Sequence, residues 1–397
     1  MNIQVSKNVK WLGKIDFELR KFHGDQISTK SGSSYNSYLI EDEKTLLVDL
    51  VYTPYAKEYI ANLQKEIDIN QIDYIVVNHS EPDHSGALPF LMELLPEKPI
   101  ICTTSGAKAI QGQYHKNWNF KIVKNGERLN IGSQELIFIE APMMHWPDTM
   151  MCYLTGDKVL FSNDVFGQHF ANQAMFDDLS DECELYFEAE KYYANIIFPF
   201  SKKAAKKLVE VKNMNLEIKE ICPAHGIIWR KNVDKIIKLY EEWVNAYQEN
   251  QITIIYDSMY GNTKKLAESI GAGIHKSSPE TVVKILNASK TDGSDIITNV
   301  FKSRGIIVGS SAINNGILNT VSGLLQEICN LAVENKKAAV FGSYGWSPKP
   351  IDGIADQLKN GGFDVFSEIL KSQWSPDEET LEKAKEFGAN FSSFNNS

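Results

Sequence analysis

Four side chains that commonly bind metals lie within six residues, at His79, Glu81, Asp83 and His84. They directly follow the apolar run 74–77, which is typical of a buried strand. Alternate residues of a strand point to opposite faces, so ligands at this spacing can converge only where the strand ends. Imidazole and carboxylate groups without cysteine suit iron, manganese or zinc. Since such groups would repel or desolvate one another without a cation, the cluster predicts a metal site.

Three further candidate ligands, His145, Asp164 and His225, each follow an apolar run later in the first half of the chain. Functional side chains are often placed at strand ends, so these residues are candidates to complete the site. A lone histidine after a strand is more often a hydrogen-bonded loop residue. That ordinary interpretation is given to the isolated histidines His115, His169 and His275.

A second chemical pattern begins after the strand-like run 252–256, where a short polar loop leads into a helix. Hydroxyl groups, a glycine and backbone N–H groups at a helix N-terminus can hold a phosphate without cationic side chains. By itself such a loop is often only a helix cap. The candidate phosphate-binding residues are Ser258, Met259, Tyr260, Gly261, Asn262 and Thr263.

Two later loops strengthen this interpretation because they follow the third and fourth strands of the same predicted sheet, at the edge where such sheets bind ligands. The third-strand loop offers Ser310, Ser311, Ala312, Asn314, Asn315 and Gly316. The fourth-strand loop offers Ser343, Tyr344, Gly345 and Trp346. Both aromatic residues of the fourth loop could instead be ordinary packing residues.

The element pattern divides the chain near residue 250. Strands and helices alternate regularly beyond that point, which predicts an α/β, flavodoxin-like, doubly wound parallel sheet over 250–397. Residues 1–249 combine short strands with helical segments such as 182–198 and form a mixed domain. Segment 232–249 has apolar residues at helical spacing and is the expected interdomain helix. The end of the chain, 391–397, is expected to fray.

Composition narrows the class of protein. With 397 residues, a net charge of -10 and a pI near 5.4, the chain does not favour nucleic-acid binding, which needs concentrated lysine and arginine. The five cysteines form no C-x-x-C pair, which argues against a disulfide framework and a rubredoxin-type iron site. No signal peptide or membrane span is apparent, so a cytoplasmic location is expected.

The H-x-E-x-D-H pattern at 79–84, followed by a histidine, an aspartate and a histidine, resembles the metallo-β-lactamase-like domain of flavodiiron proteins. The resemblance covers essentially the whole chain and implies an α+β αββα sandwich before the flavodoxin-like domain. Hydrolytic members of the fold usually carry histidine where this chain has Glu81 and bind two zinc ions. The added carboxylate favours iron in both oxidation states.

The family resemblance also implies a ligand assignment for two iron ions. One ion is expected at His79, Glu81 and His145, and the other at Asp83 and His225, with Asp164 bridging. His84 matches the motif at a position that is not a ligand in every family member. His23 and Tyr193 lie in other family-like segments and are candidates to hydrogen-bond a bound diatomic molecule, although core packing would explain them equally well.

The implied activity is a reductase in which FMN passes electrons to a diiron centre that reduces dioxygen to water, nitric oxide to nitrous oxide, or both. Rubredoxin or another reduced donor is expected to supply the electrons from outside the chain. A homodimer, joined head to tail, or a homotetramer is also implied by the family. Two alternatives remain open at this point: a dizinc hydrolase with a fused flavodoxin domain, and a protein that carries electrons on FMN alone.

Overall fold

A computed structural model describes residues 2–331, 333 and 335–396. Internal contacts divide the chain into two compact units. The first contains Met1–Phe22 and Thr29–Val244, and the second contains His23–Ser28 and Asn245–Ser397. The limits 1–249 and 250–397 stay predictions for the domains.

The strands are numbered along the chain. They are β1 (Ile3–Gln4), β2 (Val9–Trp11), β3 (Lys14–Asp16), β4 (Lys21–Phe22), β5 (Ile27–Ser28), β6 (Ser33–Tyr35), β7 (Tyr38–Glu41), β8 (Thr45–Val48), β9 (Ile72–Val76), β10 (Ile100–Cys102), β11 (Phe120–Ile122), β12 (Arg128–Asn130), β13 (Glu135–Glu140), β14 (Met150–Leu154), β15 (Val159–Asn163), β16 (Glu220–Pro223), β17 (Glu249–Tyr256), β18 (Val282–Asn287), β19 (Ser303–Ile313), β20 (Gly316–Ile317), β21 (Lys337–Tyr344) and β22 (Asp364–Gln373).

The α-helices are numbered in the same way. They are α1 (Ala56–Glu66), α2 (Pro82–Ser85), α3 (Leu88–Leu94), α4 (Thr104–Tyr114), α5 (Glu182–Tyr192), α6 (Ser201–Asn213), α7 (Val233–Trp243), α8 (Asn262–Ser277), α9 (Gly293–Lys302), α10 (Asn319–Cys329), α11 (Lys349–Asn360) and α12 (Glu378–Asn396).

The first unit is built on two sheets with a shared apolar core. One sheet has the order β1-β2-β7-β8-β9-β10-β11, and the other has the order β12-β13-β14-β15-β16. Val48 and Val76 from the first sheet belong to the same buried cluster as Phe138 and Phe161 from the second. Each fully buried side chain of this kind stabilises the fold by roughly 1.5–3 kcal/mol. The predicted sandwich is confirmed.

The second unit contains a parallel sheet in the order β18-β17-β19-β21-β22, with the short strand β20 antiparallel to β19. Strand β17 lies between β18 and β19, so the chain reverses its direction of travel across the sheet at β17. A crevice forms at such a reversal, outside the carboxyl ends of the strands. The predicted flavodoxin-like sheet is confirmed, and the loops after β17, β19 and β21 lie at the ligand-binding edge.

Three predicted segments differ in the structure. The expected interdomain helix 232–249 is helical only over Val233–Trp243, and its last predicted residue, Glu249, already belongs to strand β17. The expected helix 182–198 ends at Tyr192 and continues as a π-helical turn, Tyr193–Ile197. The prediction of fraying is wrong for 391–396, since α12 reaches Asn396 and packs Phe391 into the core. Ser397 lies outside the described residues.

No helix in the described part of the chain combines the length and apolar character needed to cross a bilayer.

Candidate metal centre and flavin site

The metal-binding cluster follows β9, and buried hydrogen bonds fix the turn that carries it. The Asp49 carboxylate accepts hydrogen bonds from Asn78, from the backbone N–H at 2.7 Å and from the side-chain Nδ2 at 3.0 Å. Pro82 then starts the short helix α2, a first-turn position that its fixed φ favours. The strand end and this helix turn together bring the four clustered side chains toward one point.

The first set of candidate ligands joins the ends of β9 and β15 to the loop after β13. Glu81 Oε2 lies 3.1 Å from His79 Nε2 and 3.5 Å from His145 Nε2. Asp164 Oδ2 lies 3.9 Å from His79 Nε2 and 3.6 Å from His145 Nε2. Ligands about 2.1 Å from one ion would be separated by about 3.0–3.5 Å. These four side chains therefore have a spacing close to that of a shared cation site.

The second set surrounds the other oxygen of the same aspartate. Asp83 Oδ2 lies 3.0 Å from His225 Nε2 and 3.4 Å from His84 Nε2. Asp164 Oδ1 lies 3.2 Å from His84 Nε2 and 3.8 Å from His225 Nε2. All seven predicted metal residues therefore come together as two adjoining sets. His84, whose ligand role the family resemblance left open, lies within the second set.

Buried carboxylate oxygens test whether this site fits a metal. Asp83 Oδ1 and Asp164 Oδ2 are both buried, and the described structure gives them no hydrogen-bond partner. Burying an ionised oxygen without a partner is expensive, and native proteins do it rarely. A cation between the ligands of the first set would satisfy Asp164 Oδ2, which faces His79 and His145. The residues therefore fit the two metal ions that the sequence predicts.

The charge balance of the metal-free site points the same way. Burial alone would lower the pKa of His84, but the carboxylates of Asp83 and Asp164 raise it to about 9. Burial is likewise outweighed at His79, whose pKa is raised well above its usual value by Asp148, Glu81 and Asp164. At neutral pH the metal-free protein thus holds protons where the carboxylates could hold cations.

Two further groups orient imidazoles of the candidate ligands. His79 Nδ1 lies 3.2 Å from Asp148 Oδ2, and the same oxygen accepts a hydrogen bond from Ser80 N at 2.7 Å. His225 Nδ1 lies 2.7 Å from the carbonyl oxygen of Ser34. Such contacts hold the second nitrogen of each ring toward the centre. Asp148 was missed as a site residue, although its position three residues after His145 was a usable signal.

The two residues predicted to contact a bound diatomic molecule have different surroundings. The Tyr193 hydroxyl lies 2.7 Å from Ser201 Oγ, and its ring packs on Tyr240 and Trp243. Its neighbour Tyr192 is the tyrosine that donates a hydrogen bond to Asp164 Oδ1, at 2.9 Å. Tyr192 is therefore a site residue that the sequence did not single out, and the role of Tyr193 stays a prediction.

His23 is exposed and belongs to the second unit, so its predicted role stays a prediction. His169 was given the ordinary interpretation of a loop histidine. It is buried, lies 2.9 Å from Ser33 Oγ through Nδ1, and packs at ring-centroid distances of 5.4 Å from His225 and 5.0 Å from Tyr192. It therefore supports the second ligand set by packing.

The predicted phosphate loop lies between β17 and α8. Gly261 adopts φ +84°, a left-handed conformation that favours glycine, immediately before the first residue of α8. Behind the loop, three buried hydroxyls meet: Thr263 Oγ1 lies 2.9 Å from both Ser311 Oγ and Ser343 Oγ. The ends of strands β19 and β21 are therefore joined to the start of helix α8, and Ser311 and Ser343, predicted as loop residues, still belong to these strands.

The phosphate loop also contains an unsatisfied group. Ser258 Oγ is buried and has no hydrogen-bond partner in the described structure. The preceding Asp257 is held by Thr320 Oγ1 at 2.6 Å and by Ser289 Oγ at 3.1 Å. A phosphate oxygen would satisfy the serine and the N–H groups of the helix start. These residues fit a neutral phosphate cradle.

Beside the cradle is a cavity of about 400 Å³. Its walls include Tyr260 from the first loop, Ser311 and Asn314 from the third-strand loop, and Tyr344 and Trp346 from the fourth. Ser310, which lies in β19, is not among the wall residues and hydrogen-bonds locally, donating to Ser311 O and accepting from Leu318 N. Most of the predicted flavin residues thus divide into a cradle, a cavity wall and a supporting hydroxyl, whereas Asn315 and Gly316 lie at the turn into β20 and outside the cavity wall.

The fold and the two sites define a class of protein, a metallo-β-lactamase-like metal module fused to a flavodoxin-like module. Residues 34–226 match the family model described as ODP family beta lactamase, and residues 254–388 match the flavodoxin model. The chain is 46% identical to an anaerobic nitric oxide reductase flavorubredoxin of Escherichia coli, over 98% of this chain and 81% of that one.

Solved structures give the same result over the whole chain. The rubredoxin oxygen:oxidoreductase of Desulfovibrio gigas is 33% identical, with a TM-score of 0.96 and full coverage of both chains. The flavodiiron protein of Giardia intestinalis is 30% identical, with a TM-score of 0.94 over 100% of this chain and 97% of that one. The chain belongs to the flavodiiron protein family, as the sequence motifs predicted.

Proposed function

We propose that this protein is a reductase of diatomic gases that uses FMN and two iron ions, and that it converts nitric oxide to nitrous oxide, dioxygen to water, or both. The observation that carries the proposal is the position of Asp164. Its two oxygens face two separate ligand sets, each with two imidazoles and one further carboxylate. A shared carboxylate between two such sets suits a pair of metal ions at close range.

His79, Glu81, His145 and Asp164 Oδ2 would hold the first iron ion. Asp83, His84, His225 and Asp164 Oδ1 would hold the second. When bound, the metal pair can bind and reduce a diatomic gas, and FMN can deliver the electrons singly. Each set combines imidazole and carboxylate ligands, which suit iron, and contains no thiolate of the kind that holds a structural zinc ion.

The chain's own groups hold this arrangement in place. Asp148 and the Ser34 carbonyl fix the rings of His79 and His225, so each Nε2 stays directed at the centre. The Tyr192 hydroxyl donates to Asp164 Oδ1 and thereby limits rotation of the shared carboxylate. The pKa of Tyr192 is raised well above its usual value by burial and by Asp164, so the hydroxyl keeps its proton.

Solvent exposure differs between the two sides of the centre. In the first set the side chains of Glu81 and His145 are 15% and 11% exposed. In the second set those of Asp83, His84 and His225 are 10%, 2% and 1% exposed. A small gas therefore reaches the centre most directly from the side of Glu81 and His145. The buried side excludes water, which strengthens the electrostatic interactions of the ligands.

In the second unit, the cradle formed by Ser258–Thr263 would bind the FMN phosphate, and the adjoining cavity would take the ring system. Tyr344 and Trp346 are the aromatic wall residues that the sequence identified. The absence of lysine and arginine from 258–263 supports a cradle built from N–H and hydroxyl groups.

The electrons would come from rubredoxin or another reduced donor, since these 397 residues contain no C-x-x-C pair for a rubredoxin-type iron. Two cofactors on different units favour a head-to-tail homodimer, or a homotetramer, in which flavin and iron approach one another. The five cysteines are free thiols, which suits the reducing conditions of the cytoplasm.

The decisive experiment combines metal analysis with two assays of the same preparation. We expect two iron ions and one FMN per chain, and turnover of nitric oxide under anaerobic conditions, of dioxygen in an oxygen electrode, or of both. His79→Ala should abolish turnover of either gas while FMN stays bound. His275→Ala, an exposed histidine of the second unit, is the matched control and should leave metal content and turnover unchanged.

Two results would contradict the proposal. Zinc without iron would support a dizinc hydrolase with a fused flavodoxin domain. Retention of the flavin with turnover of neither gas would support an FMN-dependent electron carrier.

A further inference from the structure

Trp374, directly after β22, has two unusual properties. Its side chain is 67% exposed, although an indole is large and mostly apolar. Its backbone has φ +58°, in the left-handed region that bulky residues rarely adopt. Strained backbone conformations persist where the surrounding structure enforces them, and they often lie at functional sites. Nothing in the proposed function uses this residue so far.

Hydrogen bonds tie Trp374 to the fourth-strand loop. Its backbone N–H donates to Tyr344 O at 2.8 Å. The preceding residue, Gln373, pairs with Tyr344 in the sheet and donates from its side chain to Gly345 O at 3.0 Å. Hydrogen bonds therefore hold the end of β22 against the loop that carries Trp346. The left-handed backbone conformation of Trp374 sets the direction in which its side chain leaves this paired segment.

This pairing of β22 with the fourth-strand loop places Trp374 in the wall of the cavity of about 400 Å³. The cavity has a polar side, where Asn262, Ser311 and Ser343 adjoin the phosphate cradle. Its apolar side includes two strongly exposed aromatic side chains, with Tyr260 88% and Trp346 80% exposed. Trp374 is the residue that the end of the fifth parallel strand adds to this side.

We propose that Trp374 packs against the isoalloxazine ring of bound FMN and helps to set its position, so that the ring contacts side chains after the fourth and fifth strands. This inference rests on the proposed function and deepens it. The cavity has the size of a small-ligand site, a phosphate-binding end and an aromatic end, which together match a flat apolar ring that carries a phosphate chain.

The test measures FMN binding directly, without gas turnover. The flavin is removed from purified protein, and FMN is titrated back while its fluorescence and visible circular dichroism are recorded. We expect Trp374→Leu to weaken FMN binding about 10-fold, since an aromatic stacking contact and its buried area are lost. Flavin fluorescence in the bound state should rise, because an indole that packs on the ring quenches it. Trp374→Phe should recover part of the affinity.

Trp118→Leu is the matched control, because Trp118 lies in the first unit, where it packs on Tyr114 at a ring-centroid distance of 6.0 Å. It should leave FMN affinity and fluorescence unchanged. The inference would be overturned if Trp374→Leu bound FMN with unchanged affinity and unchanged fluorescence. A shift toward smaller particles in sedimentation, with normal FMN binding, would also overturn it and identify Trp374 as a chain–chain contact.

Failure of this inference and failure of the proposed function have different signatures. Unmodified protein that binds no FMN would remove the proposed function and this inference together. If the unmodified protein binds FMN normally and the Trp374→Leu variant shows the same FMN affinity and fluorescence, the inference about Trp374 fails and the proposed function stands.

Discussion

The metal centre and the flavin site achieve specificity by opposite means. The metal centre lies inside the first unit, and its seven charged or imidazole side chains are buried or nearly so. The flavin site lies at the open edge of a sheet, with uncharged hydroxyls at one end and exposed aromatic rings at the other. One site concentrates charge where water is scarce, while the other nearly avoids charge where water is present.

This difference follows from what each site would bind. A small cation has no shape to recognise, so selectivity comes from ligand chemistry and from carboxylate oxygens that have no other partner. A flavin is large and carries its own phosphate, so backbone N–H groups, hydroxyls and ring packing can hold it. Substitutions should therefore have their largest effects at shared charged groups in the metal centre and smaller effects in the flavin site.

The largest effect is expected for Asp164→Asn. The change removes charge from the carboxylate that faces both ligand sets, so both iron ions should be lost or weakly held. Since removing a group that merely orients a metal ligand costs up to about 100-fold, loss of this shared ligand should lower gas turnover by more than about 100-fold. Iron analysis and turnover assays measure both quantities. Two tightly bound iron ions in this variant would contradict the shared role of Asp164.

A matched pair of neighbouring tyrosines gives the next largest effect. Tyr192→Phe removes the hydroxyl that donates to Asp164 Oδ1, and iron affinity or turnover should fall by about 10- to 100-fold. Tyr193→Phe removes a hydroxyl that contacts Ser201 and should change either quantity by less than about 3-fold. Chelator competition gives the affinities. The reverse order of effects would support Tyr193, the residue that the sequence favoured.

These tyrosines also show what the sequence could and could not predict. The candidate ligands, four of them within 79–84 and the others at His145, Asp164 and His225, were recognisable because residues of metal-binding types stand at strand ends, where a local pattern carries the information. Tyr192 was missed because which of two adjacent residues faces the centre depends on helix phase near a π-helical turn. The motif alone does not encode that phase.

Long-range contacts explain the other misses. Asp148 belongs to the same segment as His145, but its hydrogen bond to His79 joins residues 69 positions apart in the chain. Trp374 enters the flavin cavity through the pairing of β21 with β22. By contrast, the parallel sheet of the second unit was predictable because strands and helices alternate with a regular period. Periodicity reveals elements, whereas side-chain partners depend on how elements pack.

A smaller effect is expected in the flavin cradle. Thr263→Val removes the hydroxyl that lies between Ser311 and Ser343, which should loosen the contact of α8 with β19 and β21 and weaken FMN binding about 10-fold. Thr298→Val is the matched control, because it also removes a buried hydroxyl of the second unit, one that donates to Ser294 O within α9. Fluorescence titration with FMN measures both. Equal weakening in the two variants would mean that general destabilisation is responsible.

The smallest effect concerns the pH dependence of the metal-free protein. In the folded chain, carboxylates raise the pKa of His84 to about 9 from a usual value of 6.5. The resulting stability is fully present below pH 6.5 and is lost as pH rises through about 9, because the unfolded chain then holds fewer protons than the folded one. The midpoint of thermal unfolding should therefore fall across this interval. Lowered carboxylate pKa values, as at Asp83, affect stability only in acid.

Iron should remove this pH dependence, because the imidazoles of the loaded site bind metal in their neutral form. Calorimetry or circular dichroism of metal-free and iron-loaded protein at about pH 6.5, 8 and 9.5 makes the comparison. In metal-free His84→Gln, the midpoint of thermal unfolding should fall less steeply with pH than in the unmodified metal-free chain, because one histidine with a raised pKa has been removed. An identical fall in loaded and metal-free protein would mean that the titrating groups lie elsewhere, and that protons do not occupy the positions proposed for the iron ions.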